Sequence, residues 1–577
     1  MRTVAGFQNI AAPQAFTVNV TDSAATAAVA LSNVTEGSAV FVNAGAAGVL
    51  NSVTVSGVQA DSNNNGTVAN NTVVVAVGKD VETLTLNTAS GTTLTVNEQA
   101  VVAKHVTTVD ASASTGDVSY NGLVGAAKTV STIKTGVGKD TVTLQTALTA
   151  TAKAASVSTG EGDDTLNILA TAAAASAATV AVDAGAGNDT INLTINSDIT
   201  YNVAGGAGDD TVVITGTVKT TDKIDGGAGT DTVSLVNNAA LVADDYIVFN
   251  KVLTNFETLK LTVATTDFDA SQLAANYTTV DLAAGSIVTK VGAQALIAHG
   301  GLTATTAGTD LAATPKVYAG TLNITDKATG TVTANADKVA LTVDASANNA
   351  TVTLEGDAQS ASVTLVQALN TAKTSYVGVA AFVLDNSTAQ ANLASVTLSG
   401  NGAAAVTNAD GTKLVNVDAS GLNSVAFDGK AAAGLAYSST NTAAETIKLG
   451  AGLDTITLNA STYGKMDVIQ GLNLVASAAD AKVVDATKSD VLDITGVTLT
   501  KAGALGFTTT QTDLDLALKD AAAYANTKNT DVAFHMGGNT YVLHDAGTLG
   551  GIDAADTVVK ISGQVNLDLL ASSLAVA

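Results

Sequence analysis

The sequence has no cysteine and no tryptophan, and it has only 2 prolines and 3 methionines among 577 residues. Without cysteine, the chain contains no disulfide scaffold, no catalytic thiol and no cysteine-ligated zinc or iron–sulfur centre. Positive charge is scarce as well: 26 Lys+Arg stand against 51 Asp+Glu, the formal net charge is −25, and Arg2 is the only arginine. Because nucleic-acid phosphates are bound mainly by Arg and Lys, we expect no nucleic-acid partner.

Long apolar runs are also missing. Hydrophobic residues make up 46% of the chain but aromatic residues only 3%, and uncharged stretches such as 168–182 are diluted by Ala, Thr and Ser. A transmembrane helix needs about 18 or more apolar residues in succession, so we expect no membrane span. Residues 1–9 lack the apolar segment of a classical signal peptide. The chain is therefore cytosolic, already processed, or exported by another signal.

Short runs that alternate threonine with an aliphatic residue occur throughout the chain, for example at 141–144, 211–214 and 455–458. A period of two residues, interrupted by Gly, Asn and Asp, indicates many short β-strands joined by tight turns. Small alternating side chains suit thin stacked sheets around a long, narrow core. We therefore predict an all-β fold with several domains.

One short motif, Gly-x-Gly-x-Asp-Thr-aliphatic, recurs six times. In the five clustered copies the aspartates are 24, 25, 21 and 21 residues apart. A motif at a nearly constant period indicates one structural unit per repeat, stacked along an axis. The clustered copies contain Gly136, Gly138 and Asp140; Gly160, Gly162 and Asp164; Gly185, Gly187 and Asp189; Gly206, Gly208 and Asp210; and Gly227, Gly229 and Asp231; the sixth contains Gly450, Gly452 and Asp454.

Each part of this motif has a chemical role in a calcium-binding turn. Glycines allow positive φ angles and close backbone approach, so that carbonyl oxygens can converge on a cation, and the aspartate adds a hard carboxylate oxygen. If the turns stack at the strand spacing of about 4.8 Å, neighbouring carboxylates repel by roughly 1 kcal/mol in water, and a divalent cation reverses that sign. We expect about four calcium ions between the five clustered turns, with a separate, weaker site at Asp454. A single copy would equally fit an ordinary β-turn.

These motifs resemble the glycine-rich nonapeptide repeats of RTX proteins, and the similarity covers about 110 residues plus the isolated copy. The resemblance implies secretion by a type I system and a parallel β-roll loaded with Ca²⁺. The sequence departs from that family, because its motifs recur every 21 to 25 residues rather than in tandem. We therefore expect calcium along only one edge of the solenoid.

A second recurrence, Asp-Ala-Ser, ends four strand-like runs, at Asp110, Asp269, Asp344 and Asp418. Together with the segment 255–273 and a composition rich in Ala, Thr, Val and Gly, it resembles RTX-type bacterial surface-layer (S-layer) proteins. That resemblance implies self-assembly into a homo-oligomeric lattice. Members of the family hold lipopolysaccharide, so a cell-surface polysaccharide or lipopolysaccharide is a further implied partner. The alternative is that Asp-Ala-Ser is only a turn preference in an Ala/Ser-rich chain.

The carboxyl end has a different pattern. Residues 512–526 predict an amphipathic helix with Thr512 as N-cap, and Gly537 with Gly538 predicts the turn of a hairpin. This arrangement resembles the C-terminal regions of type I secreted proteins, which carry an uncleaved export signal. A plain α+β capping domain is the alternative.

Catalytic signatures are missing from the sequence: it contains neither His-Glu-x-x-His nor Gly-x-Ser-x-Gly. Its four histidines are His105, His299, His535 and His544. In the predicted hairpin, His544 faces Asp531 and His535 faces Thr540, about 13 Å apart, too far to share a metal. We therefore expect no enzymatic activity, although a secreted enzyme with an unrecognised site remains a third interpretation.

Taken together, the sequence predicts four segments. They are an N-terminal β domain at 1–130, a calcium-binding β-roll or β-solenoid at 131–240, β-sandwich-like domains at 241–445, and a small α+β domain at 446–577 with the secretion signal. The expected function is that of an extracellular S-layer protein, forming a calcium-dependent lattice on a Gram-negative cell. The alternative is an RTX-type adhesin or biofilm matrix protein without a lattice.

Overall fold

A computed structural model describes residues 2–574, apart from 11–12, 21–24, 35–37, 45–49, 60–70, 78–80, 89–91, 98–105, 122–130, 150–152, 173–176, 237–240, 242, 307–317, 319, 373–374, 387–391, 424–432, 460, 500–503 and 547–550. The chain forms two compact units. The first contains residues 1–263 and 272–280, and the second contains residues 264–271 and 281–577.

The described elements are almost all short strands. In chain order they are β1 (Arg2–Ile10), β2 (Ala15–Val20), β3 (Thr26–Val34), β4 (Ala39–Ala44), β5 (Ser52–Gln59), β6 (Asn71–Val77), β7 (Thr83–Thr88), β8 (Thr92–Asn97), β9 (Thr108–Asp110), β10 (Val118–Asn121), β11 (Thr132–Lys134), β12 (Thr141–Leu144), β13 (Ala147–Leu148), β14 (Ala154–Glu161), β15 (Thr165–Ile168), β16 (Thr171–Ala172), β17 (Ala178–Ala186), β18 (Thr190–Thr194), β19 (Ile199–Ala207), β20 (Thr211–Thr215), β21 (Lys223–Ala228), β22 (Thr232–Val236), α1 (Ala243–Val252), β23 (Leu253–Thr254), β24 (Thr258–Leu261), β25 (Phe268–Asp269), a 3₁₀ turn (Ala270–Gln272), β26 (Thr279–Leu282), β27 (Ser286–Val291), β28 (Ala295–Ala298), β29 (Leu302–Thr306), β30 (Thr321–Asp326), β31 (Gly330–Asp344), β32 (Ala350–Glu355), β33 (Ala358–Val366), β34 (Ala380–Asn386), β35 (Ser395–Gly400), β36 (Ala403–Asn408), β37 (Asn416–Leu422), β38 (Ala433–Ser439), β39 (Thr446–Lys448), β40 (Leu453–Leu458), β41 (Asp467–Gln470), β42 (Val491–Ile494), α2 (Leu514–Lys528), β43 (Val532–Met536), β44 (Asn539–His544), β45 (Thr557–Ile561) and α3 (Leu567–Leu574).

The first unit is a parallel solenoid with two long sheets. One sheet runs β1-β3-β5-β7-β9-β11-β14-β17-β19-β21-β23. The other runs β2-β4-β6-β8-β10-β12-β15-β18-β20-β22-β24, again parallel. Each coil contributes one strand to each sheet, so the spacing of the sequence motif equals the length of a coil.

The second unit is also built from parallel coils. One of its sheets contains β32-β34-β36-β38-β40-β42, and the other contains β33-β35-β37-β39-β41. The long strand β31 pairs with β32 through residues 330–333 and with β33 through residues 336–344. The parallel pattern ends where β45 pairs with β41, because β43, β44 and β45 are antiparallel.

The solenoid core is a stack of aliphatic side chains, one layer per coil. Val142, Leu166, Ile191, Val212 and Val233 occupy equivalent positions in successive coils, and each is 0% exposed. Burying one such side chain stabilises the fold by roughly 1.5–3 kcal/mol. Each of these residues lies two positions after a motif aspartate, so core packing fixes where the aspartates lie.

The all-β class with a parallel solenoid is confirmed. Parallel coils also occur within residues 241–445, where β-sandwich-like domains were expected. The predicted hairpin is confirmed too, with His535 opposite Thr540. The C-terminal helix begins later than predicted: its N-cap is Asp513, not Thr512, because the Asp513 carboxylate accepts the N–H of Leu516 at 3.0 Å. Helices α1 and α3 are additional to the sequence prediction.

Among the described residues, helices long and apolar enough to cross a membrane are absent.

Candidate metal centre

The five clustered motifs occupy equivalent corners of successive coils in the first unit. In each, the Gly-x-Gly segment follows or ends a strand of one sheet, and the aspartate directly precedes a strand of the other. The next residue, threonine, pairs with its equivalent in the following coil. All five aspartates, Asp140, Asp164, Asp189, Asp210 and Asp231, are at most 1% exposed. The structure therefore brings together the five acids that the sequence predicts to stack.

One repeated hydrogen bond connects these carboxyl groups. The backbone N–H of each aspartate donates to Oδ1 of the aspartate in the next coil, at 2.7 Å for Asp140 to Asp164 and 2.8 Å for Asp189 to Asp210. The same bond joins Asp164 to Asp189 and Asp210 to Asp231. We call the five aspartates together with Glu257 the carboxylate column, because the N–H of Asp231 donates to Oε2 of Glu257 at 2.8 Å.

The second carboxyl oxygen of each motif aspartate has no hydrogen-bond partner. Oδ2 of Asp140, Asp164, Asp189, Asp210, Asp231 and Asp454 is buried and has no hydrogen-bond partner. Buried polar atoms in proteins are nearly always satisfied, and an unsatisfied charged oxygen is costly. A row of such atoms, one per coil, is a set of positions for either protons or cations.

Burial has a strong effect on the acidity of the column. Burial, with a smaller contribution from the charges of neighbouring aspartates, raises the pKa of Asp164 and of Asp210 from 3.8 to about 7. The pKa values of Asp140, Asp189 and Asp231 are also raised, mainly by burial. Below about pH 7, Asp164 and Asp210 therefore keep their protons unless something else compensates the negative charge.

The motif glycines allow adjacent coils to approach closely. Gly187 has a φ of +130°, and a Cβ there would lie 2.1 Å from the carbonyl oxygen of Gly162 in the preceding coil. Gly185 shows the same relation, since a Cβ would lie 1.9 Å from the Gly160 carbonyl oxygen. The motif glycines thus direct backbone carbonyl oxygens at the adjacent coil, and the motif aspartate supplies a buried carboxylate oxygen. Carbonyl and carboxylate oxygens are the ligand types that calcium prefers. The residues present fit a hard cation.

A second ladder runs along the exposed side of the same corners. Oδ1 of Asp163 accepts the N–H of Asn188, and Oδ1 of Asn188 accepts the N–H of Asp209, both at 2.8 Å. Asp209 in turn accepts the N–H of Thr230. The sequence prediction did not include this ladder. Its signal is Asp or Asn immediately before the motif aspartate, at positions 163, 188 and 209.

The sixth motif also belongs to a pair. Oδ1 of Asp454 accepts the N–H of Leu435 at 2.6 Å, and the N–H of Asp454 donates to Oδ1 of Asp490 at 3.0 Å. Burial raises the pKa of Asp490 to about 6. Asp490 and Glu257 both lie outside any Gly-x-Gly motif, so the sequence prediction missed them. The usable signal at Glu257 is an acid followed by threonine and an aliphatic residue.

Three of the Asp-Ala-Ser segments end a strand, at Asp110, Asp269 and Asp344, whereas the fourth, at Asp418, lies inside β37 where the pairing with β35 shifts register. In each of the four, the aspartate Oδ1 accepts the serine N–H two residues later, at 3.0 to 3.2 Å. The alanines Ala111, Ala270, Ala345 and Ala419 are fully buried. A local bond of this type is a common way to turn a chain, and it supports the simpler interpretation of the recurrence.

The described histidines lie apart from one another. His544 Nδ1 is 2.6 Å from Asp531 Oδ1, as the hairpin register predicts. His299 contacts Asp281, and His535 contacts the carbonyl of Val565. His105 lies outside the described residues. Within the described ranges, groups of three or more His, Cys, Asp or Glu side chains suited to a metal are absent, so a cation in the column would need backbone oxygens as well.

Protein-family models were compared with the chain and none matches. A comparison with curated proteins likewise finds no match.

Proposed function

We propose that this chain is an exported structural protein whose solenoid is completed by calcium ions and which self-assembles into a two-dimensional S-layer on a Gram-negative bacterium. The observation that carries the calcium part is the row of buried, unpartnered Oδ2 atoms at the motif corners. The lattice part is supported by the sequence resemblance to RTX-type surface-layer proteins.

The chemistry assigned to the column is ion binding. Asp164 illustrates it: Oδ1 is used by the backbone N–H of Asp140, while Oδ2 is left for a cation. Carbonyl oxygens of motif glycines such as Gly162 and Gly187 supply further ligands of the class that fills the six to eight positions around calcium. A bound divalent ion removes the repulsion between stacked carboxylates, so its binding energy contributes to folding.

Compartment-dependent folding follows from this chemistry. Where free calcium is low, the stacked acids oppose folding and the chain stays extended enough for export. Outside the cell, calcium shifts the equilibrium towards the folded solenoid. Further divalent ions then reduce the repulsion between copies that each carry a formal charge of −25. A cell-surface polysaccharide or lipopolysaccharide is the proposed anchor, and the proposed role is structural rather than enzymatic.

The central experiment images the purified full-length chain by negative-stain electron microscopy with calcium and with excess chelator. Ordered sheets that form only with calcium support the S-layer function. Calcium-dependent folding that yields single particles or fibrils would favour the alternative, an adhesin or matrix protein. A chain equally folded with and without calcium would contradict the calcium role, and turnover in a hydrolase screen would favour the enzyme interpretation.

Export by a type I system through the C-terminal region, residues 446–577, is part of the proposal. Deleting residues 550–577 should trap the chain inside the cell, but it also removes β45, which pairs with β41 and β44. Deleting only residues 567–577 leaves β45 in place and is the sharper test. Normal secretion of both truncations would place the signal elsewhere.

A further inference from the structure

A buried acid that belongs to none of the six motifs lies in the second unit. Glu445 directly precedes β39 and is 2% exposed. Its Oε1 accepts hydrogen bonds from the hydroxyl of Tyr437 at 2.8 Å and from the hydroxyl of Ser439 at 3.0 Å, and it also contacts Nδ2 of Asn408. Its Oε2 is buried and has no hydrogen-bond partner.

A second buried acid lies one coil further along. The backbone N–H of Glu445 donates to Oδ1 of Asp467 at 2.8 Å, and Asp467 is 1% exposed. The strands that follow them pair in register, with Thr446 opposite Val468. This is the same relation that joins neighbouring acids of the carboxylate column, formed here without a glycine motif.

The carboxyl group of Glu445 is poorly compensated by the protein itself, and that of Asp467 has, among the described residues, only neutral partners, the N–H of Glu445 and the side chain of Ser461. Within the described ranges, ion pairs from Lys, Arg or His to Glu445 or Asp467 are absent. Oε1 of Glu445 accepts hydrogen bonds from three neutral groups, whereas Oε2 has no hydrogen-bond partner. Burying two adjacent negative charges in this way is costly unless protons or a cation neutralise them.

Geometry and charge together favour a cation. Two carboxylates balance one divalent ion, and the hydroxyl oxygens of Tyr437 and Ser439 lie beside Glu445 as neutral oxygen donors. Hard cations of the calcium class take mixed sets of carboxylate and neutral oxygens. We propose that Glu445 and Asp467 hold one divalent cation of this class, at a site separate from the motif aspartates. The inference rests on the proposed function only for the choice of ion.

The test uses the full-length chain with calcium as the probe. Glu445→Gln keeps the shape and Oε1 but removes the charge and the free carboxylate oxygen. It should bind one calcium fewer than the unmodified chain, by equilibrium dialysis. Asp222→Asn is the matched control: Asp222 is also 2% exposed, but both of its oxygens accept backbone N–H groups, from Tyr201 and Lys219. The control should leave the stoichiometry unchanged.

A second measurement, which does not depend on a Glu445 variant, tests the site in case Glu445→Gln fails to fold. The chain has no tryptophan, so terbium bound near Glu445 should be sensitised by Tyr437, and Tyr437→Phe should remove that part of the emission. Unchanged calcium stoichiometry in Glu445→Gln, or unchanged terbium emission in Tyr437→Phe, would overturn the site. The first result would indicate that the pair holds only a proton.

The outcome is distinguishable from failure of the proposed function. Asp189→Asn alters the carboxylate column and should leave the site at Glu445 intact. If Asp189→Asn loses no calcium while Glu445→Gln does, the motif column fails as a calcium site and the inference stands. If Asp189→Asn loses calcium while Glu445→Gln does not, the site at Glu445 is contradicted and the proposed function stands.

Discussion

The backbone N–H of Asp164 donates a hydrogen bond of 2.7 Å to Oδ1 of Asp189, which lies 25 residues later in the sequence and one coil further along the solenoid. The side chain of each acid is therefore held by the backbone of its neighbour, and each coil orients the carboxyl group of the next. Because Oδ1 is used in this way, Oδ2 of Asp189 is the atom that remains for a proton or an ion. A substitution of one acid should consequently alter the hydrogen bonding of the adjacent coil.

Replacing an internal acid of the column should cost more calcium than replacing the first one. Asp189 has acids in both neighbouring coils, whereas Asp140 has Asp164 on one side and accepts the N–H of Val118 on the other. If each ion bridges adjacent coils, Asp189→Asn should lose about two calcium ions and Asp140→Asn about one. Calcium titration of the purified variants measures the difference.

The same series tests the role of Glu257. Since Asp231 is bonded to Glu257, Asp231→Asn should resemble Asp189→Asn rather than Asp140→Asn. Equal stoichiometry for Asp140→Asn and Asp189→Asn would contradict a cation shared between coils. A loss of one ion in Asp231→Asn would remove Glu257 from the site.

The stability of the calcium-free chain should fall as the pH rises towards neutral and above. Burial raises the pKa of Asp164 and Asp210 from 3.8 to about 7 in the folded chain. Between these values the folded chain binds more protons than the unfolded chain, so the free energy of unfolding decreases with increasing pH. In chelator, circular dichroism should therefore show a larger folded fraction, and any thermal transition a higher Tm, at about pH 5.5 than at about pH 8.

Calcium should weaken or reverse this pH trend, because it replaces the protons on the same oxygens and binds more tightly as they leave. The double variant Asp164→Asn/Asp210→Asn should show a smaller pH dependence of Tm in chelator. A Tm that rises with pH in the calcium-free parent chain would show that the column does not carry the protons.

Glycine replacements should separate crowding from backbone strain in the first unit. Gly187→Ala places a methyl group 2.1 Å from the Gly162 carbonyl at a φ of +130°. Gly216→Ala has a similar positive φ of +113°, but its closest contact would be 3.1 Å. We expect Gly216→Ala to lose about 1–2 kcal/mol from strain, and Gly187→Ala to lose several kcal/mol more because adjacent coils must separate.

Gly57→Ala is the neutral control, since its nearest contact would be Leu31 Cβ at 3.9 Å and its φ is not positive. Its free energy of unfolding should change by no more than about 1 kcal/mol. Urea unfolding at saturating calcium measures all three variants. Equal losses for Gly187→Ala and Gly216→Ala would mean that the close approach of the coils is not important.

Chelation should dissolve the proposed lattice before it unfolds the solenoid. Ions at contacts between copies have fewer protein ligands than ions at a buried column, so they should be removed first. Light scattering should therefore fall at a higher free calcium concentration than the far-ultraviolet circular dichroism signal of the strands. Simultaneous loss of both signals, or reassembly with magnesium alone, would contradict two classes of calcium site.

Local pattern accounts for much of what the sequence predicted. Thr-aliphatic alternation is a property of a few neighbouring residues, so short strands such as β12 and β20 could be placed directly. The hairpin turn at Gly537 could likewise be predicted from the sequence. Helix α3 was missed, although Leu567, Leu570, Ala571 and Leu574 recur at a helical spacing that the sequence contains.

The pairing of the buried acids outside the clustered motifs could not be predicted from the sequence. Asp490 lies 36 residues after Asp454, and Asp467 lies 22 residues after Glu445, with no glycine motif at Glu445, Asp467 or Asp490. Which acid meets which backbone N–H depends on the register between coils of unequal length. That register is set by many strand pairings together, so it cannot be inferred from the sequence of any single segment.

The repeated unit, its length and the acid at each corner could all be predicted from the amino-acid sequence, because the glycines and the alternating aliphatic residues act over a few residues and recur at a countable period. The fold was needed to see that each acid is buried and that its Oδ1 accepts a hydrogen bond from the preceding coil. It was also needed to see that Glu257, Asp490 and the pair Glu445–Asp467 form the same bond. Burial and hydrogen bonds between coils depend on residues that are distant in the sequence. They exist only after the whole stack has formed.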